Sequence, residues 1–106
     1  MPRIRLKSLI SEISFVGQII GPIWIHADGK VISVKPKDGK HFSLEELYEF
    51  TNGGPIEIVG TRDGRLMILN EEGRLTGLPL NKKATELYGR NVIVGDVLVC
   101  DKDYIE

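Results

Sequence analysis

The dipeptide Asp-Gly stands twice between short runs of β-branched and other apolar residues, and that repetition limits this chain more than any other feature. Ile23-Trp24-Ile25-His26 and Val31-Ile32-Ser33-Val34 flank Asp28-Gly29, while Ile56-Glu57-Ile58-Val59 and Leu66-Met67-Ile68-Leu69 flank Asp63-Gly64. Glycine takes the positive φ of a tight turn without a steric penalty, so each unit reads as a β-hairpin. A two-residue turn at Asp28-Gly29 predicts Ile25 opposite Ile32 and Ile23 opposite Val34, all four facing a core. Trp24, His26, Val31 and Ser33 then lie on the other face, with Trp24 opposite Ser33. At Asp63-Gly64 the same turn opposes Arg62 and Arg65, a like-charge conflict that leaves a longer loop open as the alternative.

Between the hairpins the start signals of a helix are complete. Ser43 is placed to cap, Glu46 follows three residues later to close a capping box, and Phe42 and Leu47 are spaced for a hydrophobic staple. Leu44, Leu47 and Tyr48 or Phe50 are expected to face inward, with Glu45 and Glu49 in water. Asn52-Gly53-Gly54-Pro55 ends the helix. A further turn is expected at Asn70-Glu71-Glu72-Gly73, with the glycine at positive φ, leading into a strand through Arg74 and Leu75. Asn81 is placed to cap a helix of about two turns that Gly89 ends. The run Val92 to Cys100 is apolar on both faces apart from Gly95-Asp96, which predicts a buried strand with a bulge or bend at the glycine.

These elements predict a small α+β domain over residues 21–106, a mainly antiparallel sheet of hairpins with two or three short helices. Residues 1–20 read as an N-terminal extension or first helix. Leu6, Leu9, Ile10, Ile13, Val16 and Ile20 fall at helical spacings, although Ile13, Phe15 and Val16 also suit a strand. Glu12 and Gln18 interrupt the apolar stretch from Leu9 to Ile25, so no membrane span is expected there. The lone cysteine, Cys100, excludes an internal disulfide framework and fits a reducing cytoplasm.

The ordered series formed by the capped acidic helix, Gly53-Gly54, Ile56-Glu57-Ile58-Val59, Asp63-Gly64, Asn70-Glu71-Glu72-Gly73, Leu78-Pro79, Asn81, Ile93-Val94-Gly95-Asp96 and Leu98-Val99-Cys100 resembles a known family. That family is a bacterial and phage-associated domain of unknown function, number 3846 in its series. The resemblance runs over roughly residues 23–101. It implies an accessory protein of bacteria, phages or mobile elements and carries over no catalytic residue. Pro55 departs from the aromatic residue often found after the paired glycines, and residues 1–20 lie outside the shared pattern.

No residue set prescribes a reaction. Asn70-Glu71-Glu72-Gly73 lacks the alternating oxygen ligands of a calcium loop, and a turn needs Asn and Gly for backbone reasons alone. His26 and His41 belong to no spaced metal motif, and Cys100 reads as a small hydrophobe ending a strand. Gly53-Gly54 leave a helix and enter a strand, the reverse of a phosphate loop. No catalytic residue, metal or cofactor is therefore expected.

Net charge is -1, which argues against a protein built on phosphate contacts. The basic groups are small, and Lys35, Lys37 and Lys40 are the candidate contacts for a weak nucleic-acid-binding accessory role. Trp24 and His26 are the candidate interaction residues of the alternative that leads, a non-enzymatic module for a protein partner or homo-oligomer. Tryptophan is enriched at interface hot spots, and hairpin edges accept partner strands. Against this stands a second core layer over Trp24 supplied by the N-terminal segment.

Overall fold

Both hairpins and the final strand join in one sheet in the computed structural model, which describes residues 21–105. In chain order the elements are β1 (Ile23–Ile25), β2 (Val31–Ser33), α1 (Leu44–Phe50), β3 (Ile56–Gly60), β4 (Leu66–Asn70), α2 (Lys82–Tyr88) and β5 (Val97–Cys100). A short 3-10 turn at Lys102–Tyr104 follows. The strands lie in the order β2-β1-β5-β4-β3, and every pairing is antiparallel. The last strand is thus the central one, and all four of its residues are buried. This is the expected α+β class. The helix or extension expected at residues 1–20 lies outside the described residues.

The two hairpins use the same loop, one residue longer than the tightest turn. His26 N–H donates to the Lys30 carbonyl at 2.8 Å and Gly29 N–H to the His26 carbonyl at 2.9 Å. Thr61 N–H donates to the Arg65 carbonyl at 2.8 Å and Gly64 N–H to the Thr61 carbonyl at 3.1 Å. Gly29 (φ 102°) and Gly64 (φ 86°) take the left-handed positions that such a loop reserves for glycine. The extra residue corrects the first register: Trp24 pairs with Ile32, not Ser33, and Ile25 pairs with Val31. Ile32 consequently leaves the expected core face and is 41% exposed, while Val34 joins the opposite core. In the second hairpin the longer loop removes the Arg62–Arg65 opposition and lets Arg65 bond Asp63 at 2.7 Å instead.

The helices cover opposite faces of the sheet. Ala84 and Leu87 of α2 pack with Ile25, Met67, Val97 and Val99 on one side. Leu47 of α1, with Phe42 before it, packs with Ile68, Leu98 and Cys100 on the other. Both helix starts form as expected. Glu46 N–H donates to Ser43 Oγ at 3.1 Å and Ser43 N–H to Glu46 Oε1 at 2.9 Å, the full capping box. Ala84 N–H donates to Asn81 Oδ1 at 3.0 Å, and Gly89 (φ 77°) closes α2. The inward arc of α1 differs from the expected one, because Lys37 N–H also binds Glu46 Oε2 at 3.0 Å and holds that side chain inside. Leu47 and Phe50 then face the core, and Leu44 and Tyr48 turn to the exposed rim.

Three local expectations are revised for spatial reasons. Gly73 is not at positive φ; it is buried, and a Cβ there would stand 2.9 Å from Val94 Cγ2. The strand expected at Arg74 and Leu75 is a run of turns, with Thr76 N–H on the Glu72 carbonyl and Leu78 N–H on the Gly73 carbonyl. The apolar run from Val92 does not form one strand. Gly95 (φ 79°) bends it, leaving Val94 bridged to Leu80 and the strand proper at Val97–Cys100.

Candidate interaction surface

Trp24 is bound to the end of α1. Its indole Nε1–H donates to the Phe50 carbonyl at 3.0 Å, satisfying an acceptor that a helix C-terminus leaves without an intrahelical partner. The Phe50 ring meets it edge-on at 5.0 Å, and the His26 ring lies 4.1 Å away on the same strand face. Phe50 continues the row to Phe42 at 5.6 Å. Edge-to-face aromatic pairs add attraction beyond the area they bury, so the indole is held on two sides while remaining half-buried. Among the described residues the layer over Trp24 comes from α1; the N-terminal segment expected as an alternative cover lies outside them.

His26 extends the cluster to Asp96, which the sequence places beside the bend at Gly95. His26 Nδ1 lies 3.4 Å from Asp96 Oδ2. Facing a carboxylate, Nδ1 is placed to donate to it, and Nε2 is the ring nitrogen on the other side. That nitrogen is buried and has no hydrogen-bond partner among the described residues. Asp96 Oδ1 accepts from Ala27 N–H at 2.8 Å, and Asp96 N–H donates to Asn52 Oδ1 at 2.8 Å. Asn52 has φ 67°, a left-handed conformation that asparagine tolerates better than most residues. Three loops far apart in sequence are therefore tied together at one aspartate. Sequence reasoning missed Phe50, Asn52 and Asp96 as a group, since the only local signal was the helix-ending Asn52-Gly53.

The other candidate side chains stay apart from this cluster. Cys100 is buried in the α1-side core; burial, with the Asp101 charge adding to it, pushes its thiol up to about 12. A thiol so raised stays protonated and is a poor nucleophile. His41 is engaged through its backbone N–H with Asp38, and Glu71 is exposed on its turn. Among the described residues no three His, Cys, Asp or Glu side chains are grouped to hold a metal ion.

Lys35, Lys37 and Lys40 are all exposed on the loop from β2 to α1. Acidic groups share that loop. Lys37 Nζ lies 3.8 Å from Glu49 Oε1, and Asp38 accepts from the Lys40 and His41 backbone N–H groups. Those two hydrogen bonds hold the Asp38 carboxyl below its ordinary value. The lysines thus lie in a mixed field.

A groove of about 280 Å³ opens on the α2 side, where Glu57, Val59, Glu71, Arg74, Tyr88 and Asn91 contribute to its lining. It falls just under the range of typical small-molecule sites, which run from roughly 300 to 1,000 Å³. Among the described residues no helix is long and apolar enough to cross a membrane.

Residues 23–106 match the model of a family described as "Domain of unknown function (DUF3846)". No curated protein and no solved structure matches the chain.

Proposed function

This chain belongs to the DUF3846 family of domains of unknown function, and we propose that it is a non-catalytic interaction module that binds a protein partner at the β1–β2 end of its sheet. The observation that carries this reading is the cross-strand pair of half-buried Trp24 and exposed Ile32. A tryptophan fixed by its N–H and by flanking rings loses little further freedom on binding, which is what a hot-spot residue requires. Ile32 beside it offers apolar area on the same face. The high-lying thiol of Cys100 supports the non-catalytic side of the reading, and its unpaired state fits a reducing, cytoplasmic setting.

The test is a tagged pull-down from host lysate with and without nuclease, run in parallel with Ile32→Ser. Ile32 is exposed enough that its replacement leaves the core intact. A protein that survives nuclease treatment and is lost with Ile32→Ser supports the module; capture indifferent to Ile32→Ser removes it. A second reading, a weak nucleic-acid-binding accessory, draws on the shared exposure of Lys35, Lys37 and Lys40. It requires retention of DNA or RNA that falls as salt rises. Absence of any retention at low salt ends that second reading.

A further inference from the structure

The sheet has two edges, and they are not equally protected. β2 is three residues long, whereas β3 runs for five, Ile56–Gly60, and pairs only on its β4 side among the described residues. Natural edge strands are commonly blunted by brevity, lysine, proline or a bulge. β3 has no lysine, its register with β4 is unbroken, and Ile58 is 44% exposed. Pro55 precedes it, yet the Pro55 carbonyl accepts from Glu71 N–H on the β4 side. The proline therefore sits at an inward-facing position and leaves the outer edge open.

The hydrogen bonds at the two ends of the hairpin fix which groups point outward. Thr61 bonds Arg65 and Pro55 bonds Glu71, both odd-numbered positions of the first strand. Because bonding alternates along an antiparallel pair, Glu57 and Val59 also face β4. The N–H and C=O groups of Ile56, Ile58 and Gly60 face away from it. We propose that these groups pair with the same edge of a second copy, antiparallel about a two-fold axis at Ile58, so that the two five-stranded sheets become one.

The strand itself selects that register. Centred on Ile58, the pairing sets Ile58 opposite Ile58 of the second copy and Ile56 opposite Gly60, so every outward-facing residue of both strands is hydrogen-bonded. It also brings the two exposed Ile58 side chains together on one face. Glu57, the only charge on the strand, then lies opposite Val59 of the second copy. A pairing centred on Glu57 still bonds Ile56 to Ile58, but it sets two carboxylates directly opposite and leaves the outward groups of Gly60 beyond the start of the second strand. The symmetric contact is closed, since the same patch serves both copies and leaves no free β3 edge. One short strand pair buries less than a standard stable interface, so the dimer belongs to the weak, concentration-dependent class. It uses the sheet edge remote from Trp24 and stands independently of the partner surface there.

The test is sedimentation velocity over a wide concentration range, combined with amide hydrogen exchange of the unmodified chain. A reversible monomer–dimer equilibrium is expected. The Ile56, Ile58 and Gly60 amides should be protected in concentrated solution and exchange quickly on dilution, with Glu57 and Val59 protected at both. Ile58→Lys, which sets two ammonium groups opposite each other, should sediment as monomer at every concentration while keeping the native melting transition. Ile32→Lys, at the other edge, should leave dimerisation unchanged. A chain that is monomeric throughout, a dimer that persists in Ile58→Lys, or exchange of the outward amides that ignores concentration would each overturn the proposal. Partner capture by Ile58→Lys in the pull-down separates this outcome from that of the Trp24 surface.

Discussion

The carboxamide of Asn81 joins α2 to Ile25 of β1: its Nδ2 donates to the Ile25 carbonyl at 3.0 Å while its Oδ1 caps the helix. The same Nδ2 donates to the Gly95 carbonyl at 2.9 Å, and the side chain is fully buried. One residue thereby fixes where the helix begins and how it sits against the sheet.

Asn81→Ala should consequently cost more than an ordinary cap. A lost N-cap costs about 1 kcal/mol, and each buried carbonyl left unsatisfied adds roughly 1 kcal/mol or more. A loss of about 3 kcal/mol in urea unfolding is expected. A loss within 1 kcal/mol would show that water replaces the carboxamide.

Gly95→Ala should be nearly as damaging, for a different reason. Gly95 has φ 79°, and a Cβ would stand 2.7 Å from Leu78 Cδ1 and 2.9 Å from Asn52 Oδ1. Left-handed strain and overpacking together predict roughly 2–3 kcal/mol of destabilisation. Gly60→Ala is the control, since that glycine has open space and no positive φ; its midpoint should move far less.

Glu46 predicts a pH dependence. Burial pushes its carboxyl up, but hydrogen bonds from the Ser43 and Lys37 backbone N–H groups and the Ser43 hydroxyl outweigh it. The net value lies below the ordinary 4.5. A lowered folded-state value means stability that is present above pH 4.5 and lost as pH falls through the folded value. Denaturation midpoints of the wild type and Glu46→Gln should differ most near neutral pH and converge as pH falls through the folded value. A constant difference across that window would assign the effect to shape alone. Ser43→Ala should cost about 1 kcal/mol through the same cap.

Cys100 should resist thiol reagents in the folded state. Its raised thiol and complete burial predict negligible labelling at mildly alkaline pH, with full labelling once denaturant unfolds the chain. Rapid labelling under native conditions would mean that the C-terminal end of β5 opens locally.

The parts of this fold legible in the sequence are those written in local chemistry. Ser43 with Glu46, Asn81 and Gly89 mark their helix ends because capping needs only residues within one turn. The hairpins were equally legible as hairpins, but Asp-Gly serves a two-residue or a three-residue loop, and one residue of difference moved Ile32 across the sheet. The Arg62–Arg65 conflict was the sole hint toward the longer form. At the candidate surface, Trp24 and His26 were visible by type and strand position. Phe50, Asn52 and Asp96 were not, because their contacts close over tens of residues and depend on β5 lying beside β1. Gly73 shows a further limit: glycine was expected for its torsion and is required for its lack of volume.

The position of β5 between β1 and β4 has a consequence for the order of events during synthesis. Each hairpin is a local unit, yet neither touches the other through the sheet until Val97–Cys100 is inserted between them. A nascent chain carries two half-sheets with open inner edges until Val97–Cys100 has left the ribosome, and co-operative folding waits for that moment. Ribosome-bound chains arrested before Val97 should accordingly be protease-sensitive and prone to binding holdase chaperones, and a slow stretch of translation placed there would lengthen that exposure.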